Sequence, residues 1–273
     1  MNMKFNIQGH SGCDIKIKKG RVIKIASDRK YSDRLSIQHD KQLKFKNKYL
    51  STPAIYNKGT NENSCFWFEM EMIPFKTFDN FMLMSDKKTL DNVAKKVVYF
   101  IKNNISDVKK ISRDVLIDKY EDTKDKIFIK HGIDFNYLNS FFYDLDDFIE
   151  IPDGYCHGDL TFSNMLFDNS DIVVIDFLDT FLDTPLQDIV KIRQDSKYFW
   201  SLNLVNKIQD SVKVKQSLNY IDKKIKEEFS NYDFYKKYYK HFQVLNLLRI
   251  LPYSKNKNHI DSLIKEIRLL CLL

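Results

Sequence analysis

The segment YCHGDLTFSNMLFDNSDIVVIDF, Tyr155 to Phe177, decides how this chain is read. It places Asp159, Asn164 and Asp176 at fixed intervals, and Asp176 ends the apolar run IVVI at 172–175. That run predicts the second strand of a short hairpin, and a strand end is a rigid mount for a ligand side chain. Asp159 to Asn164 reads as a loop long enough to fold back over one site.

These residue types suit phosphoryl transfer. That chemistry needs a carboxylate at the acceptor hydroxyl and oxygen ligands that hold magnesium on the nucleotide phosphates. Mg²⁺ takes one or two carboxylates, and phosphates and water complete its shell. Asp176 fits a metal ligand. Asn164 offers an amide oxygen without adding negative charge beside a triphosphate. Asp159 is then free to orient and deprotonate the acceptor. His157 is expected to be structural, packing and hydrogen-bonding the loop.

Outward from this segment the chain changes character. CDIKIK (13–18) and RVIKIA (21–26) alternate about a Lys19-Gly20 turn, a hairpin signature. Residues 33–47 predict a helix, and STPAIY (51–56) and CFWFEMEMI (65–73) predict strands. Beyond Pro74, residues 87–104 and 135–149 carry apolar side chains at helical spacing, and the chain is helical from Pro185 on, with breaks near Lys213, Ser230 and Ser254. The expectation is an N-terminal lobe, residues 1–73, and a C-terminal lobe, residues 74–273.

Composition narrows the class. The 273 residues carry a net charge of +7 and are 43% hydrophobic, enough for a large core. The basic balance reads as a lysine-rich solvated surface, and no nucleic-acid-binding signature stands out from it. Cys13, Cys65, Cys156 and Cys271 form no CxxC pair and read as reduced thiols. No apolar window predicts a membrane span, and MNMKFNIQGH lacks the apolar core of a signal peptide, so a cytoplasmic location is expected.

HGDLTFSN resembles the HxDxxxxN catalytic loop of the aminoglycoside phosphotransferase and choline kinase group, whose fold is protein-kinase-like. The resemblance implies an α+β, bilobal fold, with a small β-rich N-terminal lobe and a larger helical C-terminal lobe. It implies Asp159 as catalytic base, with Asn164 and Asp176 (in VIDF) as metal ligands. The chain departs from the kinase DFG pattern: after Asp176-Phe177 stands Leu178, not glycine. DTPLQDIV (183–190) resembles the family's D-P-x-x-D segment with one extra residue before Pro185, and Asp188 is expected to brace the following helix.

The same resemblance implies a nucleotide site in the first lobe. Gly9, Ser11 and Gly12 in GHSG would bring backbone N–H groups to phosphate oxygens. Lys24 stands where the family's nucleotide lysine belongs, and strand alternation points it away from Ile23 and Ile25, towards the cleft. Its usual helix glutamate is missing. Asp40 is the expected partner, with Gln38 and Gln42 as neutral substitutes. Glu71-Met72-Ile73-Pro74 resembles the connector between lobes, so the backbone of Glu71 and Ile73 would meet the adenine edge. Arg249 and Tyr253 are candidates for the acceptor pocket.

The expected activity is transfer of the γ-phosphate of ATP or GTP, with Mg²⁺, to a hydroxyl of a sugar, amino alcohol or aminoglycoside-like acceptor. The expected partners are the nucleoside triphosphate and that small molecule, with no nucleic acid. A protein kinase is disfavoured because the loop lacks the HRD arginine and no APE-like segment follows Asp176. A nucleotide-binding pseudokinase gains only from the missing helix glutamate. A metallophosphoesterase would need further His and Asp clusters that the six histidines do not supply.

Overall fold

The structure, a computed structural model, describes residues 6–8, 12–169, 171–205, 208–254 and 256–272. The chain forms two compact units, one of residues 1–100 with 157–180, the other of residues 101–156 with 181–273.

Strands β1 (Asn6–Gln8), β2 (Cys13–Lys18) and β3 (Arg21–Ala26) open the first unit, followed by helix α1 (Arg29–Lys44) and strands β4 (Ile55–Thr60) and β5 (Phe66–Glu71). They make one antiparallel sheet in the order β1-β2-β3-β5-β4. The β2–β3 hairpin closes with positive φ at both Lys19 (50°) and Gly20 (73°). This is the turn geometry that matches strand twist. Alternation puts Ala26, Phe68 and Met70 on the face that α1 covers through Leu35. Asp28 caps α1 by accepting from the Tyr31 N–H at 2.8 Å.

Helices α2 (Phe78–Met84) and α3 (Lys87–Asn103) follow. In the second unit come β6 (Ile105–Ser112), α4 (Asp114–His131), the short α5 (Asn139–Tyr143) and β7 (Phe148–Gly154), with β6 and β7 paired antiparallel. The hairpin β8 (Met165–Asp168) and β9 (Asp171–Val174) belongs to the first unit. Residues 51 and 76 tie it there. Ser51 N–H donates to the Ile172 carbonyl at 3.1 Å, and Lys76 and Phe167 exchange a pair of 2.9 Å backbone bonds. Phe81 stacks on Phe167, with ring centroids 4.5 Å apart.

The second unit is completed by α6 (Pro185–Ser196), α7 (Ser211–Phe229), α8 (Asp233–Ile250) and α9 (Lys257–Leu272). Every described residue of α6 is buried. Buried in this unit, the Arg193 guanidinium meets the Asp222 carboxylate at 2.8 and 3.0 Å. The residue that separates Asp183 from Pro185 explains itself: Thr184 is the α6 N-cap, accepting from Leu186 N–H and donating to the Pro152 carbonyl at 2.6 Å. Asp188 is buried in the first turn of the helix it was expected to brace.

Three expectations need correction. The break expected near Lys213 lies before it, between α6 and α7, and Lys213 is in the first turn of α7. Residues 135–149 are not one helix. They hold a 3-10 turn (Asn136–Leu138), five residues of α5, and the start of β7. The strand expected at 51–56 starts at Ile55 and runs to Thr60. The cysteines are free thiols as expected.

Candidate active site

The loop from His157 to Asn164 is built by hydrogen bonds among its own residues and the strand end beside it. His157 is fully buried, and its Nε2–H donates to the Ile175 carbonyl at 2.9 Å. Its Nδ1 accepts from the Asp159 N–H at 3.2 Å. This fixes a neutral tautomer. Burial pushes its pKa down to about 4, against the smaller opposite pull of Asp159. The ring packs on Phe177, centroids 4.3 Å apart. His157 therefore clips the loop to the segment after β9 that carries Asp176.

Gly158 has φ 89°, which favours glycine. A Cβ there would stand 2.4 Å from the Leu178 carbonyl oxygen. Its place in the loop is thus set by both conformation and space.

Asn164 joins the pieces. Its Nδ2 donates to both the Asp159 carbonyl and the Asp159 carboxylate at 2.9 Å. Its own carbonyl accepts from Ile175 N–H at 3.0 Å. Because Met165 pairs with Val174, Asn164 and Ile175 are the next step along the hairpin. Asp159, Asn164 and Asp176 are therefore brought together at one end of β8–β9.

Asp176 adopts the left-handed region, φ 61°. Asp tolerates this conformation better than most residues. The turn that follows needs no glycine at 178. Leu178 N–H donates to the His157 carbonyl at 3.0 Å, and its carbonyl accepts from Lys41 Nζ at 2.9 Å.

Lys24 is only 3% exposed, on the sheet face that α1 covers. Its ammonium is paired with the Asp176 carboxylate. Burial alone would lower the lysine's pKa, but the charge and hydrogen bond of Asp176 outweigh it and hold the pKa above its usual value. The expected Lys24–Asp40 pair does not form. Asp40 is half exposed and lies 2.7 Å from His39 Nδ1 and 3.9 Å from Lys58 Nζ. The helix turns Gln38, His39 and Gln42 inward instead, and Gln38 donates to the Tyr31 hydroxyl at 3.3 Å.

The remaining candidates are placed as follows. Gly9 and Ser11 lie outside the described residues. Gly12 has φ 69° and sits against the Tyr31 ring. Glu71 ends β5; its N–H donates to the Ala54 carbonyl at 2.9 Å, and its carboxylate accepts from Ala54 N–H at 3.3 Å. Ile73 lies two residues beyond β5 and is partly buried. Arg249 and Tyr253 belong to the second unit. The Arg249 guanidinium lies over the Phe181 ring at 5.4 Å, and Tyr253 is 71% exposed.

Two contributors went unread in the sequence. Gly158 carried a signal, being one of only 7 glycines and inside the motif. Lys41 carried none among 44 basic residues.

The donor set bears on a metal. Among the described residues no three His, Cys, Asp or Glu side chains gather into a metal cluster. A carboxylate and an amide oxygen are a poor all-protein cage but fit Mg²⁺, whose shell is completed by phosphate and water.

The model of the phosphotransferase enzyme family matches residues 134–206, the segment that holds the 157–164 loop and Asp176. No match was found among curated proteins. Among solved structures, the GDP and kanamycin complex of APH(2")-IIIa is similar with a TM-score of 0.67 at 12% identity, over 98% of this chain and 92% of that one. The streptomycin–ATP ternary complex of APH(2")-IIa gives 0.59 at 13% identity, over 98% and 91%. The apo form of a thermostable mutant of aminoglycoside phosphotransferase APH(4)-Ia gives 0.58 at 14% identity, over 99% and 93%. The fold is the protein-kinase-like fold of the aminoglycoside phosphotransferases, and the resemblance stated from HGDLTFSN is borne out. Among the described residues no helix is long and apolar enough to cross a membrane.

Proposed function

We propose that this chain is a kinase of small molecules, transferring the γ-phosphate of a nucleoside triphosphate, ATP in our reading, to a hydroxyl of a sugar, amino alcohol or aminoglycoside-like acceptor. The observation that carries the proposal is the Asn164 bridge. One side chain holds the Asp159 carboxylate, while the same residue's backbone holds the strand end beside Asp176. That arrangement supports one division of labour.

Asp159 orients the acceptor hydroxyl and takes its proton as the oxygen attacks phosphorus. Asn164 fixes the carboxylate's direction through Nδ2, which leaves Oδ1 as its metal-facing atom. Asp176 and Asn164 would hold Mg²⁺, which when bound neutralises phosphate charge. Lys24 exchanges its contact with Asp176 for nucleotide phosphate oxygens. His157 is neutral and already bonded at both ring nitrogens, so it positions the loop and is not the base.

Gly9, Ser11 and Gly12 are assigned to the phosphates by their backbone N–H groups. The Glu71 carbonyl and the Ile73 N–H are assigned to the purine edge. Asp40 stays with His39 and Lys58 and has no nucleotide role in this reading. Arg249 and Tyr253 are assigned to the acceptor. The division into a nucleotide lobe, residues 1–73, and a catalytic and acceptor lobe, residues 74–273, belongs to the same proposal, as does a cytoplasmic location, where nucleoside triphosphates are made. The complexes with kanamycin and streptomycin, named for the similar structures, support an acceptor rich in hydroxyl and amino groups.

The test is transfer to a panel of hydroxylated acceptors, followed by phosphorus NMR in the presence of Mg²⁺ and ATP or GTP. Asp159→Asn should lower transfer by about 10²–10⁴-fold, with nucleotide affinity unchanged. Equal loss of both would overturn the base assignment.

A further inference from the structure

The second unit contains a cavity of about 760 Å³, walled by residues that have no part in the chemistry above. Small-molecule sites run from about 300 to 1,000 Å³. Aromatic rings form much of its wall. Phe141 and His241 stack with centroids 4.3 Å apart and planes inclined by 21°. Burial pushes the His241 pKa down to about 4, so this ring is neutral near pH 7. Tyr137 adds a third ring and carries the Arg268 guanidinium over its face at 5.6 Å.

Charge is placed at the edge. Arg268 also borders a second cavity of about 380 Å³. Among the described residues it makes no ion pair, although Asp144 lines the same larger cavity. A guanidinium spread over a ring keeps its outer N–H fork for an anionic oxygen. Asp144 repels a second negative charge, which limits the ligand to one.

We propose that this cavity is a binding site for a flat aromatic ligand with a single anionic group, its rings against Phe141, His241 and Tyr137 and its anion on Arg268. Offset stacking and edge contacts supply the affinity, and Arg268 supplies the choice of charge. The proposal is independent of the kinase reading, because no residue is shared.

The probe is anilinonaphthalene sulfonate, titrated into the full chain by fluorescence, with the uncharged N-phenylnaphthylamine as its partner. One saturable site is expected for the sulfonate. Arg268→Ala, at an exposed position, should weaken it about tenfold, the worth of one charge-assisted hydrogen bond, and leave the uncharged probe unaffected. Ser140→Trp, which fills the cavity from an exposed lining position, should abolish both. Ile129→Ser, on an exposed apolar residue outside the cavity, should change neither. Sulfonate binding that is indifferent to both Arg268→Ala and Ser140→Trp, or that is lost in Ile129→Ser, would overturn the proposal. Should Ser140→Trp fail to fold, the Arg268→Ala result with the two probes decides alone.

Discussion

At the scale of the residue, Gly158 and His157 set the shape of the loop that carries Asp159, the proposed base. Gly158→Ala places a methyl 2.4 Å from the Leu178 carbonyl at φ 89°. The variant should lose about 2 kcal/mol or more of stability, beyond the usual glycine effect. Urea unfolding reads this directly, and a loss under about 0.5 kcal/mol would show that the loop relaxes around the methyl. His157 gives a pH dependence with a definite sign. Its native pKa is about 4 against an ordinary 6.5. Below pH 6.5 the unfolded chain takes up a proton that the native state refuses, so stability falls from there down to about pH 4 and is level above. The limiting slope is about 1.4 kcal/mol per pH unit. His241, also shifted to about 4, adds in the same direction. His157→Asn, which keeps an amide for the Ile175 carbonyl, should flatten the fall in urea midpoint between neutral pH and pH 5. An unchanged fall would place the titration elsewhere.

Elements show where side chains become cooperative. Arg193 on α6 joins Asp222 on α7 and donates to the Tyr235 hydroxyl on α8 at 2.5 Å. Ser196 completes the Asp222 oxygens at 2.9 Å. Asp222→Ala would leave a buried guanidinium without its counter-ion and should cost about 3–5 kcal/mol, read by chemical denaturation. A cost near zero would mean that water or another carboxylate replaces it. This network also marks a limit of the sequence. Arg193 has Asp195 close by in KIRQDS, but the carboxylate it pairs with lies 29 positions away, and no local pattern joins the two. The β2–β3 hairpin was legible to the residue because alternation and a Lys-Gly turn are local signals. Helix α1 was legible as a helix but not in its facing. Its wall is Leu35, Gln38, His39 and Gln42, so amide and imidazole groups occupy inward positions that polarity alone assigns to solvent. The error over 135–149 has a similar origin. Phe141, Phe142 and Leu145 have helical spacing, but Ile149 and Ile151 alternate as a strand beside β6, and pairing decided between the two periods.

For the whole molecule, the proposed function draws on segments far apart in sequence that the first unit gathers: Lys24 from the sheet, Lys41 from α1, and the loop and strand end at 157–178. The loop motif itself was readable, because the chemistry dictates residue types at short spacing. The partner of Lys24 was not: Asp176 stands 152 positions away in the sequence, and Asp40, the carboxylate on the neighbouring helix, is half exposed and bonded to His39 instead. The Lys24–Asp176 ion pair now gives the most direct test. Unfolding temperatures should be measured with ATP or GTP, each with and without Mg²⁺, for the native chain and for Asp176→Asn. A nucleotide at about 100 times its Kd adds about 2.7 kcal/mol of apparent stability. The account predicts a Mg²⁺-dependent rise in the native chain with at least one nucleotide, and a rise that no longer depends on Mg²⁺ in Asp176→Asn. No rise with either nucleotide, or the same Mg²⁺ dependence in both proteins, would contradict it.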